Sequence, residues 1–149
     1  MELKWLCRHF SELNAGELYA LLQLRSAVFV VEQNCPYQDA DDKDQNSFHL
    51  LGLDALGRLG AYSRILPPAV SFPEVSIGRV CTSALYRRGG HGKVLMEQSI
   101  RTIRQQYGPV PVRIGAQLYL KKFYEAFGFR KDSEEYLEDG IPHIEMLLS

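Results

Sequence analysis

Cysteine is scarce. Cys7, Cys35 and Cys81 are odd in number and lack the close spacing of metal ligands, which argues against a disulfide framework or a zinc cluster and for a reducing, cytoplasmic setting with no metal. Charge of one sign is lacking too. With 17 Lys and Arg against 18 Asp and Glu, the net charge is −1, so no global field draws the chain onto nucleic acid or an anionic membrane. Any anion site must be local. No run approaches the ~18 apolar residues of a spanning helix, and the opening Met-Glu-Leu-Lys-Trp-Leu-Cys-Arg is too short and too charged for a signal peptide. Linkers, low-complexity tracts and internal repeats are also missing. At 46% apolar and 11% aromatic, residues 1–149 can fill one core and are expected to form a single domain.

What is present reads as alternating elements. Residues 3–9 suit a short strand. Asn14 with Glu17 makes a capping box, and Leu18, Leu21, Leu22, Arg25 and Phe29 keep helical spacing, so a helix is expected from there to about Val31. Residues 32–47 are polar, are interrupted by Pro36 and carry Asp39, Asp41, Asp42 and Asp44, which reads as a long, solvated acidic surface loop. The carboxylates invite a calcium reading, but glycine at the sixth loop position and glutamate at the twelfth are missing. Residues 49–54 and 58–65, joined through Gly57, predict an antiparallel hairpin. Residues 74–83 have the β-branched content of a central strand. Met96, Ile100, Ile103 and Tyr107 share a helical face over residues 92–107, closed by Gly108-Pro109. A strand at 110–115 follows, then a helical stripe of Leu120, Phe123, Tyr124 and Phe127 closed by Gly128, and final strands at 129–131 and 143–148. The order is β, α, β, β, β, α, β, α, β, β: an α+β fold with one sheet and helices on its faces.

Chemistry concentrates between the strand at 74–83 and the helix at 92–107. There Arg87-Arg88-Gly89-Gly90-His91-Gly92-Lys93 offers exposed backbone N–H groups, the positive end of a helix dipole and three cationic side chains. A diphosphate fits that arrangement. A Walker loop would need glycine at 87 and Ser or Thr at 94, where Arg87 and Val94 stand. A dinucleotide fingerprint needs G-x-G-x-x-G, whereas the glycines fall at 89, 90 and 92. The bland alternative is a glycine turn that merely opens a helix.

Arg87, Gly90 and Gly92 match R/Q-x-x-G-x-G/A, and here the chain resembles the GNAT superfamily of N-acetyltransferases, whose pyrophosphate loop has that pattern in that place. Tyr124-Glu-Ala-Phe-Gly128-Phe129 is similar to the family's Tyr-x-x-x-Gly-Phe element. Leu18-Tyr-Ala-Leu-Leu-Gln-Leu-Arg25, Val28-Phe-Val-Val-Glu-Gln33, Cys35-Pro-Tyr37 and Glu138-Asp-Gly-Ile-Pro-His143 resemble the bacterial ElaA-like branch and span almost the whole chain.

The resemblance implies the GNAT (acyl-CoA N-acyltransferase) fold: a central, mostly antiparallel mixed sheet of about six or seven strands flanked by helices. It implies acetyl-CoA as co-substrate and a primary amine as acceptor, with direct attack in a ternary complex. Val80, Cys81 and Thr82 would offer backbone to the pantetheine arm. Arg87, Arg88, Gly89, Gly90, His91, Gly92 and Lys93 would hold the pyrophosphate, and Gln117 would reach the pantetheine end. Tyr124 would protonate the departing thiolate, although its stripe also reads as plain packing. The strand glutamates that serve relatives as base have no counterpart near Arg79, Val80 or Val112, leaving His49, His143, Glu145 and Glu32 as candidates. Asp41 and Asp42 are expected to favour a cationic amine if their loop borders the acceptor. Two other functions compete: an acyl-CoA-binding module without turnover, and a nucleic-acid contact through Arg87, Arg88, Lys93, Arg101 and Arg104, which the near-neutral charge does not favour. A homodimer through the ends of the single sheet is compatible with all of this.

Overall fold

A computed structural model of the chain describes residues 2–149. Its strands are β1 (Lys4–His9), β2 (Phe48–Leu53), β3 (Leu59–Leu66), β4 (Val75–Thr82), β5 (Val112–Gln117), β6 (Arg130–Lys131), β7 (Tyr136–Glu138) and β8 (Ile141–Leu148). They form one eight-stranded sheet in the order β1-β2-β3-β4-β5-β8-β6, with β7 also paired to β8. Only β4 and β5 run parallel; the remaining pairs are antiparallel. The helices are α1 (Ala15–Arg25), α2 (His91–Tyr107) and α3 (Lys121–Glu125).

Strand alternation divides the core between the two faces. Leu50 and Ala61 pack on Leu95 of α2, while their neighbours Leu51 and Tyr62 pack on Leu21 and Leu24 of α1. Farther along, Ile65, Ile77, Ile114 and Met146 meet Met96 and Ile103 of α2 and Tyr124 of α3. One face therefore carries α2 and α3, and the other carries α1.

The predicted capping box exists: Asn14 Oδ1 accepts from Glu17 N–H at 2.8 Å, and Glu17 Oε1 accepts from Asn14 N–H at 3.0 Å. The helix expected to reach Val31 changes character, since α1 ends at Arg25 and a π-helical segment continues over Ser26–Glu32. Val28, Val30 and Val31 lie in that segment, and β-branched side chains are restricted against the preceding helical turn. The acidic residues 134–139, between the two final strands, contain β7, which hairpins onto β8 through Asp139 (φ +50°) and Gly140 (φ +77°).

The pair β4 and β5 creates the opening that matters. Their register holds only at Val75↔Val112 and Ser76↔Arg113. Beyond it β4 is displaced by a bulge against β3, where the register shifts between Tyr62 and Arg64 and Arg79 takes the left-handed φ of +52°. A non-glycine residue there costs about 1–2 kcal/mol. The two strands part, and a cavity of about 340 Å³ lies between them.

Candidate active site

The loop after β4 turns through the short 3₁₀ helix Ala84–Tyr86 and reaches α2 across two left-handed glycines, Gly89 (φ +98°) and Gly90 (φ +80°). Helix α2 starts at His91, one residue before the expected Gly92, with Gly90 at its N-cap. Its first internal bond is Val94 N–H to the Gly90 carbonyl at 3.2 Å. The N–H groups of His91, Gly92 and Lys93 therefore have no acceptor within the helix and open toward the loop. Arg88 and Lys93 are exposed beside them, and His91 is set edge-on to Tyr86 with ring centroids 5.3 Å apart. Arg87 turns back instead. It binds Glu32 at 2.6 and 2.7 Å and the Thr82 carbonyl at 3.2 Å. Glu32, a candidate base, is thereby held at the loop by an arginine, which lowers its pKa, and it does not line the cavity.

Val80, Gln117 and Tyr124 all line the cavity. Thr82 and Cys81 do not; Cys81 is buried at 5% exposure against the α1 core, so only its main chain can face a ligand. Tyr124 is 7% exposed and is braced edge-on by Phe123 at 5.2 Å and Phe129 at 6.1 Å. The packing reading and the chemical reading of this residue are thus compatible. Burial, helped by Tyr119, pushes its phenol up to about 12, so it carries its proton at neutral pH.

The opposite wall overturns the expectation of a solvated acidic loop. Asp39, Asp41 and Asp44 alternate with Arg25, Arg79 and Arg64 in a closed ring of charges. Arg25 meets Asp39 at 2.8 Å and Asp44 at 2.7 Å. Arg64 meets Asp44 at 2.9 Å and Asp41 at 2.7 Å, and Arg79 meets Asp41 at 3.2 Å and Asp39 at 2.8 Å. Burial opposes ionisation of Asp41 and Asp44, yet the guanidiniums outweigh it and hold both carboxyls below the usual range. Asp42 stands outside the ring, exposed at φ +64°. Asp41 borders the cavity, but its charge is already neutralised by Arg64 and Arg79.

His49 is removed as a base. It is fully buried in β2 with both ring nitrogens engaged, Nδ1 with the Tyr62 hydroxyl at 2.6 Å and Nε2 with the Asp44 carbonyl at 3.0 Å, and desolvation lowers its pKa. Glu145 is tied to Arg113 at 3.1 Å. His143 lines the cavity from β8.

A family model described as an acetyltransferase (GNAT) domain matches residues 27–149. The chain belongs to the GNAT family. It is 47% identical to Protein ElaA of Escherichia coli strain K12 over 146 residues, covering 97% of this chain and 95% of that one. The crystal structure of E. coli ElaA superposes with a TM-score of 0.91 at 46% identity over 99% of both chains. An acyl-CoA N-acyltransferase from Pseudomonas aeruginosa superposes at 0.94 with 44% identity, again over 99% of both. Within this GNAT fold, sequence reasoning missed the ring arginines and the β7 residues Tyr136 and Glu138. Arginines at 25, 64 and 79 inside apolar elements were a usable signal, because an arginine in a buried stretch requires acids nearby.

Proposed function

We propose that the chain transfers an acetyl group from acetyl-CoA to a primary amine by direct attack in a ternary complex. One observation carries this reading: the cavity where β4 and β5 part is lined both by Met96 and Tyr124 and by Asp41, Arg79 and His143. The left-handed glycines and free N–H groups at the start of α2 suit the pyrophosphate, and the backbone of Val80 suits the pantetheine arm. A neutral amine nitrogen attacks the thioester carbon, a C–N bond forms and the C–S bond breaks. Tyr124 donates its proton to the departing sulfur and is reprotonated by the proton the new amide nitrogen sheds. A cysteine relay is not favoured, since burial pushes the Cys81 thiol far up and Cys35 Sγ donates to the Asp139 carbonyl at 3.9 Å. The three free cysteines accord with a reducing, cytoplasmic setting. No helix among the described residues is long and apolar enough to cross a membrane.

The test is thiol release from acetyl-CoA over pooled primary amines. Tyr124→Phe is expected to lower kcat by ~10²–10⁴-fold with acetyl-CoA affinity retained, and Cys35→Ser to keep turnover. Calorimetric binding of acetyl-CoA without turnover on any amine would establish a binding module instead.

A further inference from the structure

The transfer reading lacks a group to remove the proton from an ammonium acceptor, and the hairpin of β7 and β8 holds one. Ile144 and Met146 of β8 lie in the cluster that contains Tyr124, so His143 and Glu145, alternating with them, project from the opposite face. His143 nevertheless lines the same cavity as Tyr124. The two residues flank the gap between β4 and β5 from its two sides.

The neutral ring of His143 is held in one tautomer. Nδ1 donates to the Ile141 carbonyl at 2.7 Å, which places the lone pair of the neutral imidazole on Nε2. The ring stacks on Tyr136 of β7 with centroids 5.8 Å apart and an angle of 27°, and His143 is 6% exposed. Nε2 faces Glu138 Oε2 at 3.4 Å. Glu138 is 63% exposed, so its carboxylate can turn to meet an incoming cation.

The other charged groups around this hairpin are mostly satisfied. On its own strand Glu145 is tied to Arg113, and across the cleft Asp41 and Arg79 pair with each other. Lys43 donates to Ser71, and Tyr37 donates to Asp39. Asp139 at the turn also borders the cavity, adding a second carboxylate beside Glu138.

We propose that His143 is the general base for the acceptor, and that Glu138 docks the cationic amine against it. The inference rests on the transfer reading above. Nε2 takes one proton from the ammonium, leaving the neutral nucleophile, and Glu138 stabilises the resulting imidazolium until that proton passes to solvent. The second amine proton follows the route through Tyr124, so the reaction releases free thiol and one proton in net.

The experiment uses the full chain and whichever amine the pooled screen finds, with kcat/KM followed from acid to alkaline pH. His143→Gln is expected to lower kcat ~10²–10⁴-fold, to lose the acid limb of the profile and to keep its calorimetric affinity for acetyl-CoA. Added imidazole is expected to restore part of the rate of His143→Ala. Glu138→Gln, at an exposed position that folding tolerates, is expected to raise the KM of the amine and move the acid limb to lower pH. An acid limb unmoved in both variants overturns the assignment. Wild-type protein that releases no thiol with any amine overturns the transfer reading itself, a different result.

Discussion

Arg25 is fully buried and touches two aspartates of a segment that looks solvated by composition. A charge in that position is tolerable only with partners, and removing one strands the others. Arg25→Met is expected to cost about 3–5 kcal/mol in urea unfolding, because Asp39 and Asp44 then keep only one arginine each; a loss under about 1 kcal/mol would show that the ring is not coupled. The pH dependence follows from the same residues. Asp41 and Asp44 have pKa values lowered in the folded state, so the unfolded chain binds protons first as pH falls. Their contribution is complete above the ordinary carboxylate range of ~4 and is lost as pH drops below it. His49, also lowered, adds an earlier loss that starts as pH falls through the unfolded histidine value of ~6.5. Thermal melts from neutral to acid pH should show both steps, and His49→Gln should remove the earlier one. The histidine, the aspartates and the arginines were all visible in the chain, but their partners lie 5 to 40 positions away.

Elements with local causes were legible. The capping box at Asn14, the hairpin through Gly57 and the start of α2 at the glycine loop depend on neighbours within a few positions, and all three formed where residue chemistry placed them. Gly90 is the sharpest case, since only its φ of +80° requires glycine and a β-carbon there would meet nothing within 4 Å. Gly90→Ala is therefore expected to cost about 1–2 kcal/mol through backbone strain alone and to weaken acetyl-CoA binding in calorimetry by displacing the N–H groups of the first turn. Strand β7 was illegible for the opposite reason. Glu134, Glu135, Glu138 and Asp139 disfavour a strand, and it is the pairing of Tyr136 with His143, Leu137 with Pro142 and Glu138 with Ile141 that supplies one. Of the hairpin that carries the proposed base, only the β8 half was announced by a pattern.

At the scale of the whole molecule the decisive feature is a place where the sheet fails to close. Gly115 lines both the central cavity and a second one of about 400 Å³, on the side proposed for the acceptor. A β-carbon there would come within 3.1 Å of the Tyr136 hydroxyl. Gly115→Val should therefore narrow the acceptor approach, raising the KM of the amine about 10-fold or more while calorimetry finds acetyl-CoA affinity unchanged. Equal losses for both substrates would place the acceptor elsewhere.

The amino-acid sequence by itself determined the family and the order of every element but β7, because these rest on short-range chemistry: glycines at fixed offsets, a helix start and the strings around Tyr124. Only the tertiary structure built the cavity wall that faces Tyr124. The parting of β4 from β5, the ring of three aspartates and three arginines and the meeting of His143 with Glu138 each join residues through strand pairing and loop closure. Such contacts depend on how the chain returns to itself, and no periodicity along it records that.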